Sequence, residues 1–253
     1  MLSVVIITKN EAHAIVDCLS SVVWASEIIV VDSGSTDDTV NICKQFGAKV
    51  SITDNWPGFG PQKNHALALA TRPWVLSLDA DERVTPELQM EISKIIENNA
   101  DASYRMPRSS SYCGQFIRHS GWSPDYVTRL FKRGYGKFSD DLVHECLLPE
   151  HPTLVLKSQL LHISYINLEE VLDKVNRYST AGAAMSLSLG KSATLGKAIR
   201  HGIWAFIRTY FIRLGFLDGE MGFILAISNA ETTYYRYLKL SLLNSDINNQ
   251  AKY

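Results

Sequence analysis

Apolar residues along the chain come in short runs that stop abruptly at polar ones, and these runs alternate with stretches of helical periodicity. Leu2 to Thr8 is a β-branched run ended by Lys9-Asn10-Glu11, after which Ala14, Ile15, Cys18, Leu19 and Val22 recur at helical spacing. The pattern predicts strand, loop, helix. Glu27 to Val31 repeats it with a second buried strand, stopped by D-S-G-S-T-D-D-T, where Ser35 or Thr36 is placed to cap a helix carrying Val40, Cys43 and Phe46. Lys49 to Thr53 predicts a third strand, N-W-P-G-F-G-P a turn-rich loop and Gln62 to Ala70 a helix. A fourth strand, W-V-L-S-L, then runs straight into D-A-D-E.

Nearly all-apolar strands alternating with helices imply an α/β protein whose central sheet is mostly parallel and covered by helices on both faces. Ligands of such sheets bind beyond the carboxyl ends of the strands, where the strand order reverses. Three of those ends carry Asn10-Glu11, Asp32 and Asp79/Asp81. From about Tyr104 to Leu161 the segments are short and broken by Gly, Ser and Pro, as in a loop-rich half of the same domain. After His162 the pattern turns helical, and the polar tail from Asn244 is expected to fray.

Composition narrows the picture only a little. With 253 residues and 46% hydrophobic content the chain can bury a sizeable core, and a formal net charge of -1 gives no overall attraction to nucleic acid. Cys18, Cys43, Cys113 and Cys146 lack the spacing of a zinc site or a disulfide framework, and read as reduced cytosolic thiols. Met1 leads directly into L-S-V-V-I-I-T-K-N, which has no basic n-region and reads as a first strand rather than a signal peptide.

Aspartates at i and i+2 on the end of a buried strand put fixed negative charge at the rim of the sheet. Without a counter-ion that costs several kcal/mol, on the order of the effective penalty for a buried charge. A hard divalent cation that keeps water and substrate phosphates in its shell suits such a pair; solvated loop acids are the plainer alternative. Asp32 adds a carboxylate beside small residues and a helix start, a combination that fits a nucleotide-sugar. Neither GxGxxG nor GxxxxGK[ST] occurs, so a dinucleotide fingerprint and a P-loop are both unsupported.

V-V-I-I-T-K-N-E, I-I-V-V-D-S-G-S-T-D-D-T, Q-K-N-H-A-L-A-L-A and L-S-L-D-A-D-E, in this order, resemble the inverting family 2 glycosyltransferases of the GT-A fold. The resemblance implies a GT-A catalytic domain over residues 1–165 and a C-terminal helical, membrane-facing region over 166–253. It also implies roles. Thr8, Asn10, Glu11 and Asp32, with Ser33, contact the uridine; Lys63 and Asn64 line the nucleotide pocket. Asp79, beside Ala80, meets the ribose or the metal, and Asp81 binds the metal, Mn²⁺ or Mg²⁺, directly.

An inverting transfer needs one carboxylate to take the acceptor proton and an electrophile to hold the departing diphosphate. In the family the base lies downstream of the metal motif, which points to Glu145 in F-S-D-D-L-V-H-E, with Asp140 and Asp141 as alternatives. This V-H-E departs from the E-D more common in the wider family. Arg129 in T-R-L-F-K-R is placed to neutralise the leaving group or to pair structurally. His162 is a candidate third metal ligand or a hydrogen-bonded strand end, and Trp122 a sugar platform or a core aromatic.

Between Lys191 and Arg213 there are five Lys/Arg and no Asp/Glu, interleaved with Ile203, Trp204, Phe206, Ile207, Tyr210, Phe211 and Leu214. Charge interrupts this stretch too often for a bilayer span, but it suits an anionic headgroup surface; a core-packing subdomain with a cationic outer face is the alternative. H-S-G-W-S-P-D-Y-V-T-R-L-F-K-R, D-D-L-V-H-E and G-F-L-D-G-E-M-G-F are similar to bacterial lipopolysaccharide inner-core β-1,4-glucosyltransferases. That similarity implies UDP-glucose as donor and a lipid-linked heptose acceptor, with the protein peripheral on the cytoplasmic face of the inner membrane. A polyprenyl-phosphate or other cell-surface polysaccharide transferase, and a nucleotide-sugar binding module without turnover, are the rival readings.

Overall fold

A computed structural model describes residues 1–139 and 145–250 of the chain. They divide into two compact units: Met1–Ser109 with Asp125–His162, and Ser110–Pro124 with the chain from Ile163 onward.

The first unit opens with β1 (Leu2–Thr8), α1 (Ala12–Ser20), β2 (Glu27–Asp32), α2 (Thr39–Gln45), β3 (Lys49–Ile52), α3 (Phe59–Leu69) and β4 (Trp74–Asp79). Next come β5 (Glu82–Val84), α4 (Pro86–Asn98) and β6 (Ser103–Tyr112), followed by β7 (Gln115–Phe116), which pairs with the end of β6 inside the second unit. The first unit resumes with β8 (Tyr126–Lys132), β9 (Gly136–Phe138), β10 (Leu147–Pro149), β11 (Thr153–Val155) and the first half of β12 (Leu160–Tyr165), whose residues from Ile163 belong to the second unit. Its sheet runs β3-β2-β1-β4-β8-β6, parallel through β4 and antiparallel beyond it. The chain leaves β1 for β2 on one side and returns as β4 on the other. The reversal in strand order therefore lies between β1 and β4.

Alternation along the parallel strands explains their unbroken apolar runs. Leu2, Val4 and Ile6 of β1, Ile28 and Val30 of β2, and Trp74, Leu76 and Leu78 of β4 face one core with Ile15 and Leu19 of α1 and Leu88 and Ile92 of α4. Val5 and Ile7, Ile29 and Val31, and Val75 face a second core with Ala66 of α3. Both sheet faces are covered, so no position is left for a polar alternation.

Two boundaries differ from the sequence expectation for physical reasons. Ser35 and Thr36 do not cap α2. Ser35 Oγ accepts from the Asn10 amide at 2.8 Å and the Thr36 amide donates to Asn10 Oδ1 at 2.8 Å, so the helix starts later, at Thr39. α3 starts three residues earlier than expected, at Phe59, because Pro61 falls in the first turn, where its missing N–H has no intrahelical partner to lose.

The second unit holds α5 (Leu168–Ser188), α6 (Leu195–Ile207), a π-helical turn over Arg208–Ile212, a 3-10 turn over Gly215–Asp218, and α7 (Gly219–Gln250), which packs on α5 and α6. α5 starts with a reciprocal cap: Asn167 Oδ1 accepts from the Glu170 amide at 2.9 Å, and Glu170 Oε2 accepts from the Ile166 amide at 3.0 Å. Tyr112, Ile117, Val171, Val175 and Leu225 form its core, against which Trp122 packs. α7 runs as far as Gln250 into the tail expected to fray, and Asn244 Oδ1 accepts from the Ala193 amide at 3.2 Å. Among the described residues no helix is long and apolar enough to cross a membrane.

At the amino end of the sheet, Glu27 is buried and bonded to Ser3 Oγ, Lys49 Nζ (2.9 Å), and the Thr71 amide and hydroxyl. Burial by itself raises this carboxyl, but the bonds from Ser3, Lys49 and Thr71 overcome it and bring the pKa down to about 2. A depressed pKa contributes stability above the ordinary carboxylate value and loses it as pH falls through the folded one. Glu27→Gln is therefore expected to lower unfolding free energy by about 2 kcal/mol at neutral pH, on the scale of charged hydrogen bonds. In urea titrations the deficit should shrink steadily between the ordinary pKa of 4.5 and about 2.

Candidate active site

The register of the parallel strands brings the candidate residues to one rim. Thr8 sits opposite Asp32, and Ile7 opposite Asp79, so the loops after β1, β2 and β4 leave the sheet side by side. They leave at the point of strand-order reversal, where open α/β sheets place their ligands. Thr8 Oγ1 is buried there with no hydrogen-bond partner. Asn10, with φ 56°, holds the next loop through Ser35 and Thr36, and the Glu11 amide opens α1 by donating to Thr39 Oγ1 at 2.9 Å. The Glu11 carboxylate lies 3.8 Å from His13 Nε2.

Asp32 is fully buried and turned onto its own loop. Its Oδ1 accepts from the amides of Gly34 (3.0 Å) and Ser35 (2.8 Å), and its Oδ2 from Ser35 Oγ. Gly34 has φ +77°, which makes this tight return possible. Three donors thus fix the Asp32 carboxylate on its own loop. Ser33 is fixed from two sides: its amide donates to Thr8 O at 3.0 Å and its Oγ accepts from Gln62 Nε2 at 3.0 Å.

Around Asp79 the cations expected at the rim are supplied by the protein itself. Lys63 of α3, only 3% exposed, places Nζ 2.8 Å from Asp79 Oδ1 and 2.9 Å from Glu145 Oε1. Arg129 of β8 donates Nη2–H to Asp79 Oδ2 and reaches Glu82 Oε1 at 2.7 Å. Glu82 is wholly buried, accepts the Asp79 amide at 3.0 Å, and has Arg108 Nη1 at 3.4 Å. Burial alone would raise the Asp79 carboxyl; the Arg129 guanidinium and the Lys63 ammonium overcome it and hold the group well below the ordinary carboxylate range. Arg129 is correspondingly held above its ordinary value: burial lowers it, and Asp79 and Glu82 more than offset that.

Asp81 is different. Its Oδ2 lies 3.2 Å from His162 Nε2 of β12, while its Oδ1 is buried with no hydrogen-bond partner. A carboxylate oxygen left without a donor beside an imidazole fits a divalent cation, because both are donor types that such ions accept. Among the described residues no group of three or more His, Cys, Asp or Glu forms a complete ligand set. The chain would supply Asp81 and His162, and the other positions would fall to diphosphate and water.

The structure thus links Lys63, Asp79, Arg129 and Glu145 in one network, and pairs Asp81 with His162. Asn64 clamps β9, its Nδ2 donating to Phe138 O at 2.9 Å and its Oδ1 accepting from the Phe138 amide at 2.8 Å. Ala80 is buried between the two aspartates. Trp122 lies in the second unit with ring centroids 5.7 Å from Tyr112 and 6.2 Å from Tyr165, a core aromatic in that setting. Asp140 and Asp141 lie outside the described residues. Sequence reading missed the part played by Glu82 and Arg108. Three acids within four residues were the signal for the first; nothing local marks Arg108 as its partner.

Residues 3–149 match the family described as Glycosyl transferase family 2. The chain belongs to that family. It is similar over its length to an uncharacterized glycosyltransferase of Rickettsia felis, 34% identical over 96% of this chain and 91% of that one. It is also similar to the lipopolysaccharide core biosynthesis glycosyltransferase LpsC of Rhizobium meliloti, 29% identical over 97% and 96% of the two chains. In fold it matches the crystal structure of S. aureus TarS 1-349 in complex with UDP-GlcNAc, with a TM-score of 0.51 at 17% identity, covering 97% of this chain and 91% of that one. The fold is GT-A, as expected.

Removing one partner from a buried ion network leaves an uncompensated charge, which costs about 3–5 kcal/mol. Arg129→Met, which strands Asp79 and Glu82, is expected to lose that much in urea unfolding. Asp81→Asn, at a carboxylate that the chain leaves half-satisfied, is expected to lose less than about 1 kcal/mol.

Proposed function

We propose that the protein is an inverting, metal-assisted glycosyltransferase that moves a hexose, glucose from UDP-glucose, onto a heptose of the lipopolysaccharide inner core. The observation that carries the reading is Lys63, buried between Asp79 at the strand end and Glu145. One ammonium ties the nucleotide rim to a second carboxylate. Likeness to LpsC along the whole chain supports the acceptor class; UDP-glucose and heptose rest on the motif resemblance described above. The setting in this reading is the cytoplasmic face of the bacterial inner membrane, with a lipid-linked acceptor.

In the reaction the acceptor hydroxyl oxygen bonds to the anomeric carbon as the bond from that carbon to the diphosphate oxygen breaks, giving inversion in one displacement. Glu145 takes the hydroxyl proton on its carboxylate, as a general base does. Lys63 holds Glu145 through Oε1 and keeps it aimed while the proton arrives. Thr8 Oγ1, Asn10 and the loop shaped by Asp32 and Ser33 receive the uridine, with Glu11 at its edge and Asn64 fixing the strand that leads toward Glu145. Asp79 and Ala80 floor the ribose side, and Arg129 fixes Asp79 there. A divalent cation held by Asp81 and His162, Mn²⁺ or Mg²⁺, would supply neutralisation of the leaving diphosphate.

Glu145→Gln is expected to bind UDP-glucose as the native chain does while transferring at least about 10²-fold more slowly, the scale of a lost general base. Titration calorimetry and transfer to heptose-terminated truncated lipopolysaccharide separate the two; a loss of donor affinity instead would remove Glu145 from the role. Asp140→Asn and Asp141→Asn, assayed in parallel, are expected to keep transfer within about threefold, below the range for a lost base. Asp81→Ala is expected to abolish Mn²⁺-stimulated UDP release with the fold intact. A native chain that releases no UDP from any UDP-sugar, with or without Mn²⁺, would be a binding module.

A further inference from the structure

α6 is built inside out. The face it turns into the second unit is made of small residues, Ala198, Gly202, Ala205 and, in the following turn, Thr209, all buried. A Cβ on Gly202 would stand 3.1 Å from Tyr234 Cβ, so α7 lies as close as a glycine permits. The large apolar residues point outward: Ile199, Ile203, Trp204 and Ile207 are 44%, 57%, 52% and 36% exposed. Ile212 and Leu217 in the two turns that follow are 59% and 56% exposed. A helix that answers only to water does the reverse, with large residues inside and polar ones out. Small residues at helix contacts with large apolar ones outward is the arrangement of helices whose surroundings are themselves apolar.

Two occupants could cover such a face, and charge separates them. Arg200, Arg208 and Arg213 are exposed beside the apolar stripe, and among the described residues none of them is paired with a carboxylate. The stretch from Lys191 to Arg213 has no acid, and the next one, Asp218, is buried and engaged by the amides of Arg118 and His119 and by Ser120 Oγ, each at 3.0 Å. A symmetric contact between two copies would set this arginine band against itself. An anionic lipid surface complements it, because exposed cations are drawn to such a surface. The 13 residues of α6 extend about 20 Å, short of the roughly 30 Å hydrocarbon core, so the helix cannot span.

We propose that α6 and the two turns after it lie in the plane of an anionic bilayer, with Ile199, Ile203 and Ile207 sunk among the acyl chains and the arginines at headgroup level. The membrane partner of the reading above becomes a specific apolar insertion rather than electrostatic adhesion alone. It rests on that reading only for the lipid-linked acceptor.

The test is flotation of the full chain with vesicles of phosphatidylcholine and phosphatidylglycerol, repeated with Ile199→Asp/Ile203→Asp. Both substituted residues are exposed, and circular dichroism checks that the fold survives. The native chain is expected to float at 0.1 M salt and to remain largely bound at 0.5 M, since screening reaches the charges and not the buried side chains. The double variant is expected to partition at least about tenfold less, a change of about 1.4 kcal/mol, while its UDP release stays at the native rate. Native Trp emission should move to shorter wavelength on binding, and that shift should fall in Trp204→Phe. No flotation at low salt, complete release at 0.5 M, or an unaffected double variant would each overturn the proposal. So would a self-association in sedimentation that Ile199→Asp/Ile203→Asp abolishes while vesicles are ignored. Because UDP release is read separately, failure here and failure of the transferase reading are distinguishable.

Discussion

A carboxylate at the end of a buried parallel strand must be neutralised from within the chain or from outside it, and Asp79 is neutralised from within. Lys63 and Arg129 take one oxygen each, and Glu82 holds both the Asp79 amide and the same Arg129 Nη2 that meets Asp79. Four elements are fixed to one another by these bonds: α3, the end of β4, β5 and, some fifty residues further along, β8. Glu145, 82 residues after Lys63, is drawn into the same network by the second bond of the lysine. The rim is thus preorganised by ion pairs built around the buried Lys63, Arg129 and Glu82.

Once Asp79 is satisfied, the chemistry left for a cation moves two residues along the chain. Asp81 retains a buried oxygen with no partner, and His162 stands on its other oxygen. The two aspartates of D-A-D therefore do different work in the account proposed here. In the proposed reaction Asp79 is a structural anion that positions the base through Lys63, and Asp81 is the one that would face the metal.

The fold was largely legible in the sequence because its strongest signals are local. Strands β1, β2 and β4 read as unbroken apolar runs, since both faces of the sheet are covered, and each stops at a polar turn where it leaves the core. Boundaries that depend on long-range bonds were not legible. Ser35 and Thr36 look like helix caps locally, yet they bond to Asn10 across the rim. At the site, residue types were readable and pairings were not. A rim carboxylate needing a cation follows from burial alone; that two of its cations come from α3 and β8 requires the tertiary fold. The outward stripe of α6 was visible as composition, but which face it occupies depended on seeing Ala198, Gly202 and Ala205 packed on α7.

The central claim is that Asp79 is satisfied by the chain, so that the cation belongs to Asp81 and His162. Spin-echo envelope modulation of Mn²⁺ bound together with UDP tests it most directly, because it detects a nitrogen coordinated to the ion. The account predicts ¹⁴N modulation that changes to the ¹⁵N pattern when histidine is labelled and disappears in His162→Gln. Mn²⁺ bound with UDP at native affinity, but showing no histidine nitrogen, would contradict it.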